Sequence, residues 1–309
     1  MIVHRGYENL RLNRPYVTIG VFDGVHLGHM SILEKLVAKA EREGGESVIV
    51  TFDPHPRLVL SQPGENISYL STIEEKIMLI ERSSAGHLVI IGFTPEFARM
   101  DADEFIRRVL VDGIGVEHLA MGHDNHLGRG KEGNYERIKA NALRYGFSVE
   151  RLGKFSSDTH TVSSTSIRQA LLGGKLDDAN RWLGYNYQLS STVIEGRGLG
   201  KSFGYPTANI RPYDPNKLVP SDGVYAVEVI ANNYRMKGML SIGSNPTVSM
   251  GDKKRSVEVN IFDFEGDLYG KDITVIFRFR LRDEKHFGSI AELKQQMDLD
   301  REISLDLLA

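Results

Sequence analysis

The feature that most limits how this 309-residue chain can fold is a change of pattern near residue 184. Before it, short apolar runs alternate with stretches of helical spacing. Segments 17–21, 47–52, 88–91, 118–121 and 148–152 read as buried strands, and helical periodicity fills 29–43, 72–82, 103–111 and 135–145. Asp101 and Glu104 are spaced as a capping box at the head of the third helix. Such alternation predicts a parallel, doubly wound sheet, in which ligands bind beyond the carboxyl ends of the strands. A last helical stretch, 166–172, leads to Gly173-Gly174-Lys175 and a short segment around Trp182. Strand patterns then follow one another directly, at 189–194, 224–231, 234–242, 257–264 and 273–280. Asn232-Asn233 reads as a hairpin turn, since Asn tolerates positive φ, and Glu265-Gly266-Asp267 marks another turn. Consecutive strands with tight turns predict a small antiparallel barrel, closed by a helix at about 289–297. The expected fold class is therefore α/β plus β, in two domains, 1–184 and 185–309.

Composition narrows the partners. Hydrophobic residues make up 41% and charged residues 26%, enough for a packed core in a soluble protein. A net charge of −3 argues against general binding to nucleic acid or a membrane surface, although Arg129/Lys131 and Arg197/Lys201 form local basic clusters. The absence of Cys excludes disulfides, thiolate metal sites and cysteine catalysis, and fits a cytoplasmic location. The first eight residues lack a signal-peptide apolar region, and no run of about 18 apolar residues occurs. Small-molecule substrates are expected, with no nucleic acid and no membrane; oligomeric state is left open.

Gly20-Val21-Phe22-Asp23-Gly24-Val25-His26-Leu27-Gly28-His29 joins the first strand to the first long helix. Helix N-termini offer free N–H groups and partial positive charge, which suits phosphate. The glycines let backbone approach a ligand closely. Two plainer readings exist: His26 and His29 as metal ligands on one helix face, or a simple connection. Thr51-Phe52-Asp53-Pro54-His55-Pro56 ends the second strand as a stiff loop. Ser163-Ser164-Thr165-Ser166-Ile167-Arg168 opens a helix, where hydroxyls either cap or, with an Arg one turn on, clamp phosphate. In the second region, Gly200-Lys201-Ser202 suggests a P-loop, but the opening glycine would fall at 195, which is Glu. Thr207 and Asn209 supply two neutral oxygen ligands on one side of an extended segment, suited to Mg²⁺ held mostly by substrate phosphates.

The first string resembles the G-x-F-D-G-x-H-x-G-H signature of the HxGH nucleotidylyltransferases, in the form found in flavin adenylyltransferases. The resemblance implies a Rossmann-like domain whose ATP site is lined by Gly20, Phe22, Asp23 and Gly24, with His26 and His29 on the ATP phosphates. Phe52, Pro54, His55 and Pro56 match an F-x-P-H-P element near the flavin. Ser163, Ser164 and Thr165 match S-S-T-x-I-R as phosphate ligands, with Arg168 neutralising triphosphate charge. Gly122-His123-Asp124-Asn125-His126-Leu127-Gly128 keeps the glycines and the flavin-binding Asp124 of a G-x-D-F-x-F-G element but lacks its aromatics.

The segment from Gly196 to Asn209 resembles the G-x-x-x-G-x-x-x-G-x-P-T-A-N signature of riboflavin kinases. On that resemblance Gly196, Gly200, Lys201 and Gly204 hold ATP, and Thr207 and Asn209 hold Mg²⁺. Further matches are Pro220-Ser221-Asp222-Gly223-Val224-Tyr225, Ser241-Ile242-Gly243-Ser244-Asn245-Pro246-Thr247, Val257-Glu258-Val259-Asn260 and Leu281-Arg282-Asp283-Glu284-Lys285-His286-Phe287. Glu258 becomes the base for the 5′-hydroxyl of riboflavin, and Asn260 stands where His is common. Together the matches resemble the bifunctional riboflavin kinase/FAD synthetases. They imply an FMN adenylyltransferase domain over 1–184 and a flavokinase barrel over 185–309. ATP and Mg²⁺ would serve both, with riboflavin, FMN and FAD as substrates and products. The alternatives are one live module beside a vestigial one, or a flavin-binding regulator without turnover.

Overall fold

The βα alternation becomes a six-stranded parallel sheet. Its strands are β1 (Ile2–Arg5), β2 (Pro15–Ile19), β3 (Glu46–Asp53), β4 (His87–Gly92), β5 (His118–Met121) and β6 (Ser148–Arg151). They lie in the order β1-β4-β3-β2-β5-β6, every neighbouring pair parallel. This computed structural model describes residues 1–8, 10–62, 64–122, 127–128, 133–153, 156–157, 160–196, 204–244 and 255–309. The connecting helices are α1 (Leu27–Arg42), α2 (Pro56–Leu60), α3 (Ile73–Glu81), α4 (Pro95–Ala98), α5 (Ala102–Phe105) and α6 (Tyr135–Tyr145). All five residues of β2 are buried, as are Ser47–Thr51 of β3, because helices cover both faces of a parallel sheet. Val17, Ile19, Val48, Val50, Val89 and Ile91 pack with Ile106, Val109 and Leu110 in one core cluster.

Strand order reverses at β2, which lies between β3 and β5. This switch point is where ligands bind in open α/β sheets, and α1 leaves the carboxyl end of β2 there. The third expected helix differs from a plain α-helix. Asp101 caps α5 at the Glu104 N–H (2.8 Å), and the chain continues as π-helical turns over Ile106–Ile114, ending at Gly115 with φ 74°. β1 is an added outer strand paired with β4.

A short hairpin, β7 (Ser156–Ser157) with β8 (His160–Thr161), precedes α7 (Ser164–Leu172) and α8 (Leu176–Leu183). Next come β9 (Gln188–Ile194), β10 (Ala208–Pro212), β11 (Gly223–Ala231), β12 (Tyr234–Ser244), β13 (Arg255–Ile261) and β14 (Asp272–Arg282). They close an antiparallel barrel in the order β10-β13-β12-β11-β14-β9. Along β9 burial alternates, with Leu189, Ser191 and Val193 inside, as expected of a barrel wall. Asn232 and Asn233 take φ values of 50° and 66° in the hairpin between β11 and β12. The final helix, α9 (Ile290–Leu307), is longer than its sequence pattern suggests. It is anchored by Asp300, whose buried carboxylate takes the Arg282 guanidinium on both oxygens at 2.7–3.0 Å.

Contacts divide the chain into two compact units, Met1–Ser164 and Thr165–Ala309. The division falls before the pattern change at 184 because α7 and α8 pack on the barrel. Asn180 Nδ2 donates to Phe277 O (3.1 Å), its Oδ1 accepts from Tyr187 N (2.8 Å), and Ser221 N donates to Leu171 O (3.0 Å).

Candidate active sites

In the first unit the turn between β2 and α1 is tightly braced. Gly24 has φ 77°, and Phe22 and Val25, neither of them glycine, are held at φ 48° and 35°. Such conformations cost on the order of 1–3 kcal/mol each and persist where surrounding structure enforces them. The enforcement is visible. Asp23 Oδ1 accepts from Leu70 N (2.7 Å) and Ser71 N (3.2 Å), Ser71 Oγ accepts from Gly24 N (2.9 Å), and Ser164 Oγ donates to Asp23 O (2.9 Å). Asp23, expected in the ATP site, thus has a buried carboxylate that shapes the turn from within.

His26 caps α1, its Nδ1 accepting from His29 N at 3.3 Å. That bond requires Nδ1 to be unprotonated, so neutral His26 carries its proton on Nε2. The His26 and His29 rings stack with centroids 3.7 Å apart, and the Phe22 ring meets His29 edge-on at 5.3 Å. His29 Nδ1 is buried with no hydrogen-bond partner among the described residues, which leaves Nε2 as the useful atom. Burial pulls His26 down to about 4. Burial first, then His26 and the Lys76 ammonium, hold His29 well below its ordinary range. At neutral pH the pair is a stack of two uncharged imidazoles, each able to donate one N–H, at the positive end of a 16-residue helix.

Ser163 and Ser164 lead into α7, and Arg168 donates to Thr165 Oγ1 at 3.3 Å one turn on. At the carboxyl end of β3, Phe52 packs against Phe93 and Phe97 with centroids at 5.5 and 6.1 Å. His55 caps α2 by accepting from Arg57 N (3.1 Å), with Pro56 in its first turn and Pro54 just before, and stacks near Tyr69 at 5.9 Å. The aromatics Phe93 and Phe97 carry no motif of their own; only their position after β4 brings them to this edge. Asp124 lies outside the described residues.

In the barrel, β10 and β13 assemble the second site. Asn209 stands opposite Glu258, and Thr207 Oγ1 donates to Glu258 Oε2 at 3.3 Å. Val257 and Val259 are buried on one side of β13, so Glu258, only partly buried, faces the other. Asn260 is buried and donates to Pro206 O (2.7 Å), fixing the approach to Thr207. Tyr205, packed with Met239 and Phe262, donates to Asp298 of α9. A side chain at Gly196 would overlap the Asn209 amide, which would have to turn away to admit it. Gly196, Pro206, Thr207, Asn209, Phe264 and Leu268 are among the residues around a cavity of about 510 Å³. Gly204, with φ 87°, precedes Tyr205; Gly200 and Lys201 lie outside the described residues. No group of three or more His, Cys, Asp or Glu suited to a metal occurs among the described residues. A hydroxyl, an amide and a carboxylate do offer oxygen donors of the kind Mg²⁺ accepts alongside phosphate.

These features define a two-module transferase: a parallel α/β sheet with a phosphate-suited histidine turn, and a closed barrel with a carboxylate facing a hydroxyl and an amide. Residues 9–166 match the FAD synthetase family model, and residues 183–308 match the riboflavin kinase model. A bifunctional riboflavin kinase/FMN adenylyltransferase of Pseudomonas fluorescens is 35% identical, over 96% of this chain and 94% of its own. Proteins of the same description from Listeria monocytogenes and Escherichia coli K12 are each 34% identical, over 93% and 92% of this chain and 90% of their own. A crystal structure from Streptococcus pneumoniae, described as a macrolide-efflux protein, superimposes with a TM-score of 0.87 at 28% identity, covering 98% of this chain and 99% of that one. No helix among the described residues is long and apolar enough to cross a membrane. The chain belongs to the bifunctional riboflavin kinase/FMN adenylyltransferase family.

Proposed function

We propose that this chain makes both flavin cofactors: it phosphorylates riboflavin to FMN in the barrel and adenylylates FMN to FAD on the α/β unit. The observation that carries the kinase half is Glu258 set opposite Asn209 and bonded to Thr207. Glu258 accepts the proton of the 5′-hydroxyl of riboflavin as its oxygen attacks the γ-phosphorus of ATP and ADP departs. Thr207 and Asn209 would hold Mg²⁺, which supplies charge neutralisation at the phosphates when bound. Gly196 and Gly204, with Gly200 and Lys201 between them in sequence, take the nucleotide.

In the adenylyl transfer a phosphate oxygen of FMN attacks the α-phosphorus of ATP and pyrophosphate leaves. His26 and His29 donate through Nε2 to phosphate oxygens whose charge grows in the transition state. By the resemblance of their motif, the hydroxyls of Ser163, Ser164 and Thr165 and the guanidinium of Arg168 are assigned to phosphate as well. Phe52, with Phe93 and Phe97, offers an aromatic surface to the flavin beside Pro54, His55 and Pro56, and Asp124 binds it as the resemblance implies. We assign the two activities to 1–184 and 185–309 and the protein to the cytoplasm, acting on small molecules without nucleic acid or membrane. Incubation with riboflavin and MgATP, followed by separation of the flavins, tests this reading. FMN and FAD should both accumulate; FMN alone would mean a vestigial first module, and no turnover a flavin-binding regulator.

A further inference from the structure

Lys76 is a buried cation that the chemistry above does not use. It lies in α3 with 3% of its surface exposed. Its Nζ donates to Thr51 Oγ1 at 3.3 Å, and Thr51 Oγ1 donates onward to Val21 O at 3.2 Å. This chain of bonds runs from α3, across the end of β3, to the strand exit that becomes the histidine turn. The carboxylates of Asp23, from the turn, and Asp53, from β3, favour the charged ammonium of Lys76 against burial. His29 feels it from α1. On its own helix the buried Glu75 carboxylate is engaged by Thr72 N at 3.1 Å. Burying an ammonium is costly even after relaxation, and one hydrogen bond at 3.3 Å recovers little of that cost. A cation kept there, behind a phosphate-suited turn, has an electrostatic task.

We propose that Lys76 is a positioning residue for adenylyl transfer, its ammonium acting through His29 on the departing pyrophosphate. Burial and His26 already keep His29 neutral, so the ammonium acts on the field in which the His29 Nε2–H donates. It also adds to the positive end of α1, where the phosphate charge develops. The task needs the charge, and burial draws Lys76 down to about 8 against the opposing pull of Asp23 and Asp53. Lys76 is therefore charged below that pH and loses its charge as the pH rises through it. The inference rests on the assignment of His26 and His29 to phosphate.

The test follows FAD formation from FMN and MgATP for wild type, Lys76→Met and Lys76→Arg, from about pH 6.5 to about 9.5, with thermal unfolding of each protein. Wild-type kcat/KM for ATP should fall above pH about 8, approaching tenfold per pH unit. Lys76→Met should be lower by about tenfold or more at neutral pH and lose that fall. Lys76→Arg, always charged, should stay within a few-fold of wild type at neutral pH and also lose it. FMN formation should be unchanged in both. The proposal is overturned if Lys76→Met matches wild type, if wild type is flat across this range, or if the fall persists in Lys76→Arg. Should Lys76→Met fail to unfold cooperatively, the wild-type and Lys76→Arg profiles decide. If His29→Ala leaves FAD formation intact, the assignment of the turn fails too; if His29→Ala is impaired and Lys76→Met is not, this inference fails alone.

Discussion

Asn209 and Glu258 face each other across β10 and β13, and Thr207 reaches the same Glu258 carboxylate at 3.3 Å. A carboxylate and an amide are thereby fixed on adjoining strands of a closed sheet, with the Thr207 hydroxyl held at the residue just before β10.

Glu258→Gln keeps the size of the side chain and its bond to Thr207 but removes the base. FMN formation should fall by about 10²–10⁴ in kcat, with riboflavin binding little changed and adenylylation of added FMN preserved. Stopped assays of each half-reaction, with fluorescence titration of riboflavin, check this. Near wild-type kinase turnover would leave positioning and electrostatics to explain the rate.

His29→Ala removes a donor from the stacked pair. FAD formation should drop by on the order of a hundredfold or more, as when an oxyanion donor is lost, while FMN formation stays near normal. Equal loss of both activities would point to a structural role instead.

Gly196→Ala sets a methyl group into the Asn209 amide. The strand pairing of β10 holds the backbone, so the amide must turn away. The KM for MgATP in the kinase reaction should rise by about tenfold or more, with FAD formation from FMN unaffected. An unchanged KM would remove Asn209 from the nucleotide site.

Two fragments separate the boundary in the sequence pattern from the boundary in packing. Both 185–309 and 165–309 should phosphorylate riboflavin and form no FAD. The shorter loses Asn180, which ties Tyr187 and Phe277 together, and should melt several degrees lower. A well-folded 185–309 without kinase activity would refute the modular assignment.

The sheet, the barrel and the histidine turn were legible because each rests on local pattern: buried strands as apolar runs, helices as 3.6-residue periodicity, glycines at the turn. β1 was not legible, since four residues at the sheet's margin, with Ile2 and Val3 exposed, carry no alternation. β10 was hidden because its five residues, Ala208–Pro212, include Asn209, Arg211 and Pro212 and carry no apolar alternation. The length of α9 depends on Arg282 and Asp300, a pairing set by the tertiary fold. Lys76 and Phe93 were missed for a common reason. A lysine on a helix and a phenylalanine after a strand are ordinary in sequence, and only the folded chain brings them behind the turn and beside Phe52.

Barrel closure also sets an order of events during synthesis. Gln188 lies opposite Ile276, and Asn209 opposite Glu258. β9 and β10 pair with each other, and each thus finds its second partner only after most of the second unit has left the ribosome. The first unit, its sheet already complete by β6, is free to finish earlier. A nascent chain stalled before β14 would hold a finished α/β unit while its barrel remained open, so that competence for the second reaction of the sequence would arise before competence for the first.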